Sequence, residues 1–180
     1  MKQCIENPND VDWTKFWAEK LSKKVDKDWD KAAPGFFKRT KKEDYYNALF
    51  DRLILDENDT VLDVGCGEGS VTIPIAKKVK KVIGIDSSPK MLEYLEKRAR
   101  DEDASNIETI LKPIEEISYD EIGDVDVVVC SRSLNGIIPI EEVLCELNRI
   151  AKKYVFITIF GPENKKIEKD FDEELGIKTE

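Results

Sequence analysis

Thr60-Val61-Leu62-Asp63-Val64-Gly65-Cys66-Gly67-Glu68-Gly69 decides the fold of this 180-residue chain. A β-branched run of strand type passes directly into three alternating glycines. Val71, Ile75 and Val79 then recur at four-residue spacing, which marks one face of a helix. Pro74 falls near the start of that helix, where a missing N–H does little harm. Strand, glycine turn and helix in this order put a loop at the carboxyl end of a strand, where open parallel sheets bind ligands. Side chains at the glycines would block a ligand from lying against backbone, and glycine also accepts positive φ.

Working outward, Lys81–Ile85 reads as a second strand. Ser88 then reads as a helix N-cap and Pro89 as the first helical position. Met91, Leu92, Leu95 and Ala99 line the buried face of the helix that follows. Asn106–Leu111 is a third short strand. Val125–Cys130 is almost purely apolar, as expected of a central parallel strand covered on both faces. Ile140, Val143, Leu144, Leu147 and Ile150 mark another amphipathic helix, and Tyr154–Phe160 a fifth strand. The alternation predicts a three-layer, doubly wound α/β domain over residues 59–180, with a mostly parallel sheet in the order 3-2-1-4-5. Residues 1–58 read as a helical N-terminal extension. There Trp13, Phe16, Trp17 and Leu21 form one helical face. Thr40 and Glu43 fit a capping box, with Tyr45, Leu49 and Leu53 continuing that helix. The segment Asp30–Arg39 is expected to be the loop between the two helices.

Composition excludes several chemistries. The chain has no histidine, which rules out a Ser-His-Asp hydrolase and a His-ligated zinc site. No metal is expected. Cys4, Cys66, Cys130 and Cys145 are scattered without CxxC spacing and read as free thiols of a reducing, cytoplasmic protein. No stretch of ~18 apolar residues is present to span a membrane, and no apolar signal-peptide core opens the chain. Net charge is −9, and such a surface repels phosphate backbones, so no nucleic-acid partner is expected. Charged residues make up 37% of the chain, with Lys and Glu prominent, a balance common in thermophilic proteins.

Asp86 ends the second strand, roughly 20 residues past the glycine loop, where a carboxylate can accept hydrogen bonds from both hydroxyls of a ribose. The dinucleotide fingerprint is GxGxxG, with a pyrophosphate at a helix N-terminus; here the spacing is GxGxG and Asp63 precedes it. Leu62–Gly69 resembles the first motif of the class I S-adenosylmethionine-dependent methyltransferases. Gly84-Ile85-Asp86-Ser87-Ser88-Pro89-Lys90-Met91-Leu92 resembles their second motif, and Asp124–Ser131 their fourth-strand motif. The match runs from about Thr60 to Phe160 in correct order.

The resemblance implies a Rossmann-like fold, S-adenosyl-L-methionine as cofactor, S-adenosyl-L-homocysteine as product, and roles residue by residue. Gly65, Cys66, Gly67 and Gly69 would form the loop against which the methionine portion and ribose lie. Asp63 would orient the ammonium group, Asp86 would hold the ribose hydroxyls, and Ser87 and Met91 would border the adenine. Ser131 would lie near the methionine end. After the third strand many members carry an acid for the adenine amino group; here Lys112 stands there, and adenine contact passes to backbone around Ile114. No residue is assigned to catalysis, since methyl transfer needs alignment more than a base. Arg39, Lys41 and Tyr45 are candidates to reach the cofactor from the N-terminal segment. Ser133 and Asn135 follow the fourth strand, toward the acceptor side.

Members of the family usually add an antiparallel strand pair beyond the fifth strand. Here Gly161–Glu180 is mostly charged and reads as one helix. The expectation is a naturally short chain, a truncated one, or a sheet edge completed by a second copy in a homodimer. The expected acceptor is a small molecule or a protein. The alternative is a binding protein of this fold that holds cofactor or partner without turnover; a nucleotide-dependent oxidoreductase is disfavoured by the glycine spacing.

Overall fold

A computed structural model describes Lys15, residues 28–38 and residues 43–159. The Trp13, Phe16, Trp17 and Leu21 stripe, Thr40, Arg39, Lys41 and the charged tail after Ile159 lie outside these residues. Five strands form one sheet in the order β3-β2-β1-β4-β5. They are β1 (Thr60–Val64), β2 (Lys81–Asp86), β3 (Ile107–Leu111), β4 (Val125–Ser131) and β5 (Ala151–Thr158). Every neighbouring pair is parallel.

β1 takes the centre because both of its faces are buried and, Asp63 apart, apolar. Leu62 and Val64 join Ile83, Ile85, Val128 and Cys130 on one face, under Val143, Leu147 and Ile150 of helix α6 (Ile140–Ile150). Val61 joins Val82, Val127 and Val129 on the other, under Ile75 of α3 (Thr72–Ala76) and Leu49 of α2 (Glu43–Phe50). Leu62 and Val61 are fully buried, each worth roughly 2 kcal/mol of burial. A third cluster, Cys66 with Leu92 and Leu95, seats α4 (Pro89–Asp101) beside the glycine loop. This is the expected three-layer arrangement and strand order.

Local chemistry explains several boundaries. Ser88 caps α4: its hydroxyl accepts from the Met91 N–H at 3.1 Å, and Pro89 follows at the first helical position. Asn106 does not begin β3. Its amide instead donates to the carbonyls of Ala76 and Val79, at 2.8 and 2.9 Å, and ties the end of α3 to the sheet. β5 begins at Ala151, directly after α6, and not at Tyr154. Lys152 and Lys153 hid its start. They stand on an exposed edge, with Lys152 paired to Asp124 at 3.1 Å and Lys153 bridging Asp59 and Asp126 at the base of the sheet. Leu144, expected on the buried face of α6, is exposed.

The segment expected to be a loop is a helix, α1 (Trp29–Lys38), with Pro34 inside it. Pro34 and Gly35 argue against a helix by propensity, but tertiary contacts decide. Asp28 accepts from the Lys31 N–H at 3.0 Å as a cap. Ala33 is fully buried. Asp30 accepts from the Ser88 hydroxyl and from the Lys90 N–H, locking α1 to the start of α4.

Candidate cofactor site

The site grows from the carboxyl end of β1. Gly65 and Cys66 both donate to the carbonyl of Ile85, at 2.8 and 3.0 Å, so the loop folds back on β2 before α3 begins. Gly65, Gly67 and Gly69 have φ of +71°, +55° and +85°, the left-handed region. A β-carbon on Gly69 would come within 3.1 Å of Leu95. One on Gly67 would meet only the sulfur of Met91, at 3.9 Å. Gly67 is therefore the open surface of the loop. Gly65 is not: a β-carbon there would lie 2.4 Å from the β-carbon of Ser133. The absent side chain at Gly65 makes room for the loop after β4, whereas sequence alone suggested room for ligand.

Asp86 is held in place by two backbone donors. Gly67 N–H bonds Oδ2 and Ser88 N–H bonds Oδ1, both at 2.9 Å. The carboxyl keeps lone pairs beyond these two bonds. Burial nonetheless pushes its pKa above the ordinary carboxylate value, against the pull of the two N–H donors. Asp63 lies deeper. It is buried, and its Oδ2 accepts from the Thr72 hydroxyl at 2.6 Å. Desolvation pushes its pKa up to about 7, with Asp86 and Glu68 adding like-charge repulsion. Glu68 is compensated by Arg98, at 3.6 Å, and accepts from Ser70.

Among the described residues no Lys or Arg forms an ion pair with either Asp63 or Asp86, an arrangement able to receive a cation. Each costs desolvation when ionised, and a bound positive charge would recover that cost. A pyrophosphate would meet repulsion here.

The remaining expected residues fall nearby. Met91 is buried under Gly67, and Ser87 is exposed at the tip of β2. Ile114 reaches the Gly65 side of the loop, its Cδ1 3.5 Å from the β-carbon position. The side chain of Cys66 packs into the core against Gly84 and α4, so only its backbone serves the loop. Burial pushes the Cys66 thiol up, away from the thiolate form that a nucleophile needs. Lys112 pairs with Glu121 of α5 (Tyr119–Ile122). Ser131 turns toward α2: its hydroxyl and that of Thr158 each lie 2.7 Å from the Tyr45 hydroxyl. Thr72, Asp30 and Thr158 had no sequence signal, because each acts through a partner distant in the chain. No group of three or more Cys, Asp or Glu side chains suited to a metal occurs among the described residues.

The model of the family described as "Methyltransferase domain" matches residues 55–176. Pavine N-methyltransferase of Thalictrum flavum subsp. glaucum is 35% identical over 104 residues, 51% of this chain and 29% of that relative. tRNA (uracil-5-)-methyltransferase homolog A of Homo sapiens is 40% identical over 63 residues, 35% of this chain and 10% of that relative. The chain thus spans less than a third of the length of these relatives. Phosphoethanolamine N-methyltransferase 1 of Haemonchus contortus was solved with phosphoethanolamine and S-adenosylhomocysteine. It superposes with a TM-score of 0.57 at 18% identity, covering 78% of this chain and 31% of that one, and so shares the fold. The human relative is named for tRNA, which corrects the expectation that a nucleic-acid partner is excluded. Whole-chain charge was the wrong measure, because phosphate contacts depend on where Lys and Arg cluster.

Proposed function

This chain belongs to the methyltransferase domain family, and from that premise we propose that it transfers the methyl group of S-adenosylmethionine to a small-molecule or protein acceptor. The observation that carries the reading is the pairing of buried Asp63 with anchored Asp86 around the open face of Gly67. Asp86 accepts from the ribose hydroxyls. Asp63, ionised by the approach of a positive group, orients the ammonium. Met91 and Ile114 border the base, and Ser87 stands at its rim. The bound cofactor supplies an activated methyl group on a sulfonium. The chain then needs to hold an acceptor atom in line with it and exclude water. The carboxyl ends of β4 and β5, roofed by α2 through Tyr45, supply that acceptor side. No general base is required, in keeping with the absence of histidine.

Calorimetry on the full chain tests the cofactor. S-adenosylmethionine and S-adenosylhomocysteine are expected to bind and NAD is not; NAD binding without S-adenosylmethionine binding would overturn the reading. Methyl transfer from labelled cofactor into the small-molecule, protein and RNA fractions of a cell extract tests the acceptor. Label in either of the first two supports the assignment. Label in RNA alone overturns that acceptor class and leaves methyl transfer standing. Cofactor binding with no label in any fraction favours a binding protein without turnover.

A further inference from the structure

Glu68 stands between Gly67 and Gly69 in the glycine loop and has no part in the cofactor assignment above. Its charge is nevertheless felt there. Burial is the main cause of the raised pKa of Asp63 and of Asp86, and the Glu68 carboxylate adds to it at both. Arg98 of α4 answers that charge. One terminal nitrogen of its guanidinium donates to the Glu68 carbonyl at 3.2 Å and lies 3.6 Å from the Glu68 carboxylate. The other donates to Glu102 at 3.4 Å, and Glu102 pairs with Lys77, at the end of α3, at 2.7 Å. The Ser70 hydroxyl donates to the Glu68 carboxylate. The side chains of Arg98 and Glu68 are only 13% and 12% exposed, so salt and water screen the pair weakly. The helices on both sides of the loop thus meet it at one guanidinium, and the charges of Glu68, Arg98, Glu102 and Lys77 balance.

Methyl transfer changes the charge of the cofactor. The sulfonium of S-adenosylmethionine is positive and the thioether of S-adenosylhomocysteine is neutral, while base, ribose, ammonium and carboxylate are the same in both. The shape of the loop therefore counts alike for the two ligands, and its electrostatic field does not. We propose that the Arg98–Glu68 pair sets how strongly the site prefers S-adenosylmethionine to its demethylated product, with Arg98 cancelling the Glu68 charge while it holds the loop by the Glu68 carbonyl. The inference rests on the methyl-transfer reading and adds control of product release. Arg98 acts through Glu68 and is a positioning residue. With its charge uncancelled, Glu68 would attract the sulfonium and leave the thioether unaffected. It would also hold most tightly a charge that the reaction disperses, which favours the ground state over the transition state. With its charge cancelled, the loop keeps its conformation and the product leaves against a milder difference in affinity.

The test is calorimetry on the full chain with S-adenosylmethionine and S-adenosylhomocysteine in turn, for the natural chain, Glu68→Gln, Arg98→Gln and the double variant. The ratio of the two affinities cancels any general loosening of the loop, which weakens both ligands equally. In Arg98→Gln both affinities are expected to fall, because the clamp on the Glu68 carbonyl is gone, while the preference for S-adenosylmethionine rises about fivefold. In Glu68→Gln the uncancelled Arg98 is expected to lower that preference about fivefold. In the double variant the ratio should return to within about twofold of the natural one, since the two charges are removed together. Ratios that stay put in both single variants, or that move in the same direction, overturn the proposal. So does a double variant whose ratio remains that of either single variant. Glu68→Gln keeps an oxygen for Ser70 and Arg98, so its ratio alone decides the matter if Arg98→Gln does not fold. Failure of both ligands to bind the natural chain would instead overturn the cofactor reading, and this inference with it.

Discussion

Asp86 and Asp63 are both carboxyls at one loop, yet they should respond differently to change. Asp86 is held by the Gly67 and Ser88 N–H groups and is only partly buried. Asp86→Ala is expected to weaken S-adenosylmethionine binding by roughly tenfold or more, the loss of a charge-assisted hydrogen bond; calorimetry would read it, and unchanged affinity would remove the ribose assignment. Asp63 is buried, with its pKa pushed up to about 7 from an ordinary 3.8. The folded state therefore holds the proton more tightly than the unfolded state. Its contribution to stability is full below about pH 4 and is lost as pH rises through 7. A bound ammonium reverses the preference, because it selects the ionised carboxylate. S-adenosylmethionine affinity should thus strengthen from pH 5.5 to pH 7.5, by up to roughly tenfold per pH unit below the pKa. Asp63→Asn should flatten that profile, and a variant that kept the slope would assign it to another group. The placement of Asp63 and Asp86 near the carboxyl ends of two neighbouring strands was legible in the sequence. Thr72, the partner of Asp63, and the contact between Ser133 and Gly65 were not, because neither has a local pattern.

Among the elements, the helix α1 differs most from what the sequence suggests. Pro34 and Gly35 conceal it, and the bonds from Asp30 to Ser88 and Lys90 reveal it. The start of α4, by contrast, was readable from Ser88 and Pro89 alone, because a cap is a local device. Asp30 thus ties α1 to the same turn that fixes Asp86 through the Ser88 N–H. Asp30→Ala should release α1, so that the amides of residues 31–36 exchange at least tenfold faster, the consequence of losing about 1.4 kcal/mol of local stability. Hydrogen exchange with mass spectrometry would measure this. Unchanged protection would show that other contacts, the burial of Ala33 among them, hold the helix.

For the whole molecule, the five-strand order could be read from the alternation of strands and helices, but the base of the sheet could not. There Asp126 Oδ2 accepts from the Thr60 N–H at 2.9 Å, and Lys153 joins β5 to Asp59 and Asp126. The Thr60 N–H and Lys153 hold the Asp126 carboxyl below its usual range. Its stabilising effect is present at neutral pH and fades as pH falls below the ordinary carboxylate pKa toward the lower folded value. Asp126→Asn should lower stability by about 1 kcal/mol at pH 7 and by less near pH 3. Chemical denaturation at both values would read the difference, and an equal loss at both would point to packing instead of charge.

The strand order also sets a sequence of events in time. β1, β2 and β3 are near neighbours in the chain, whereas β1 meets β4 only through pairs such as Val61 with Val127. Closing a long loop slows a step, and local pairings tend to come first. The hydrogen bonds from Gly65 and Cys66 to Ile85 need only β1 and β2. Those from Arg132 to Thr158 need β4 and β5 as well. In pulse-labelled refolding, the Gly65 and Cys66 amides should gain protection before that of Arg132; simultaneous protection would mean a single cooperative step. A nascent chain would then hold its glycine loop formed while the turn after β4 was still unmade.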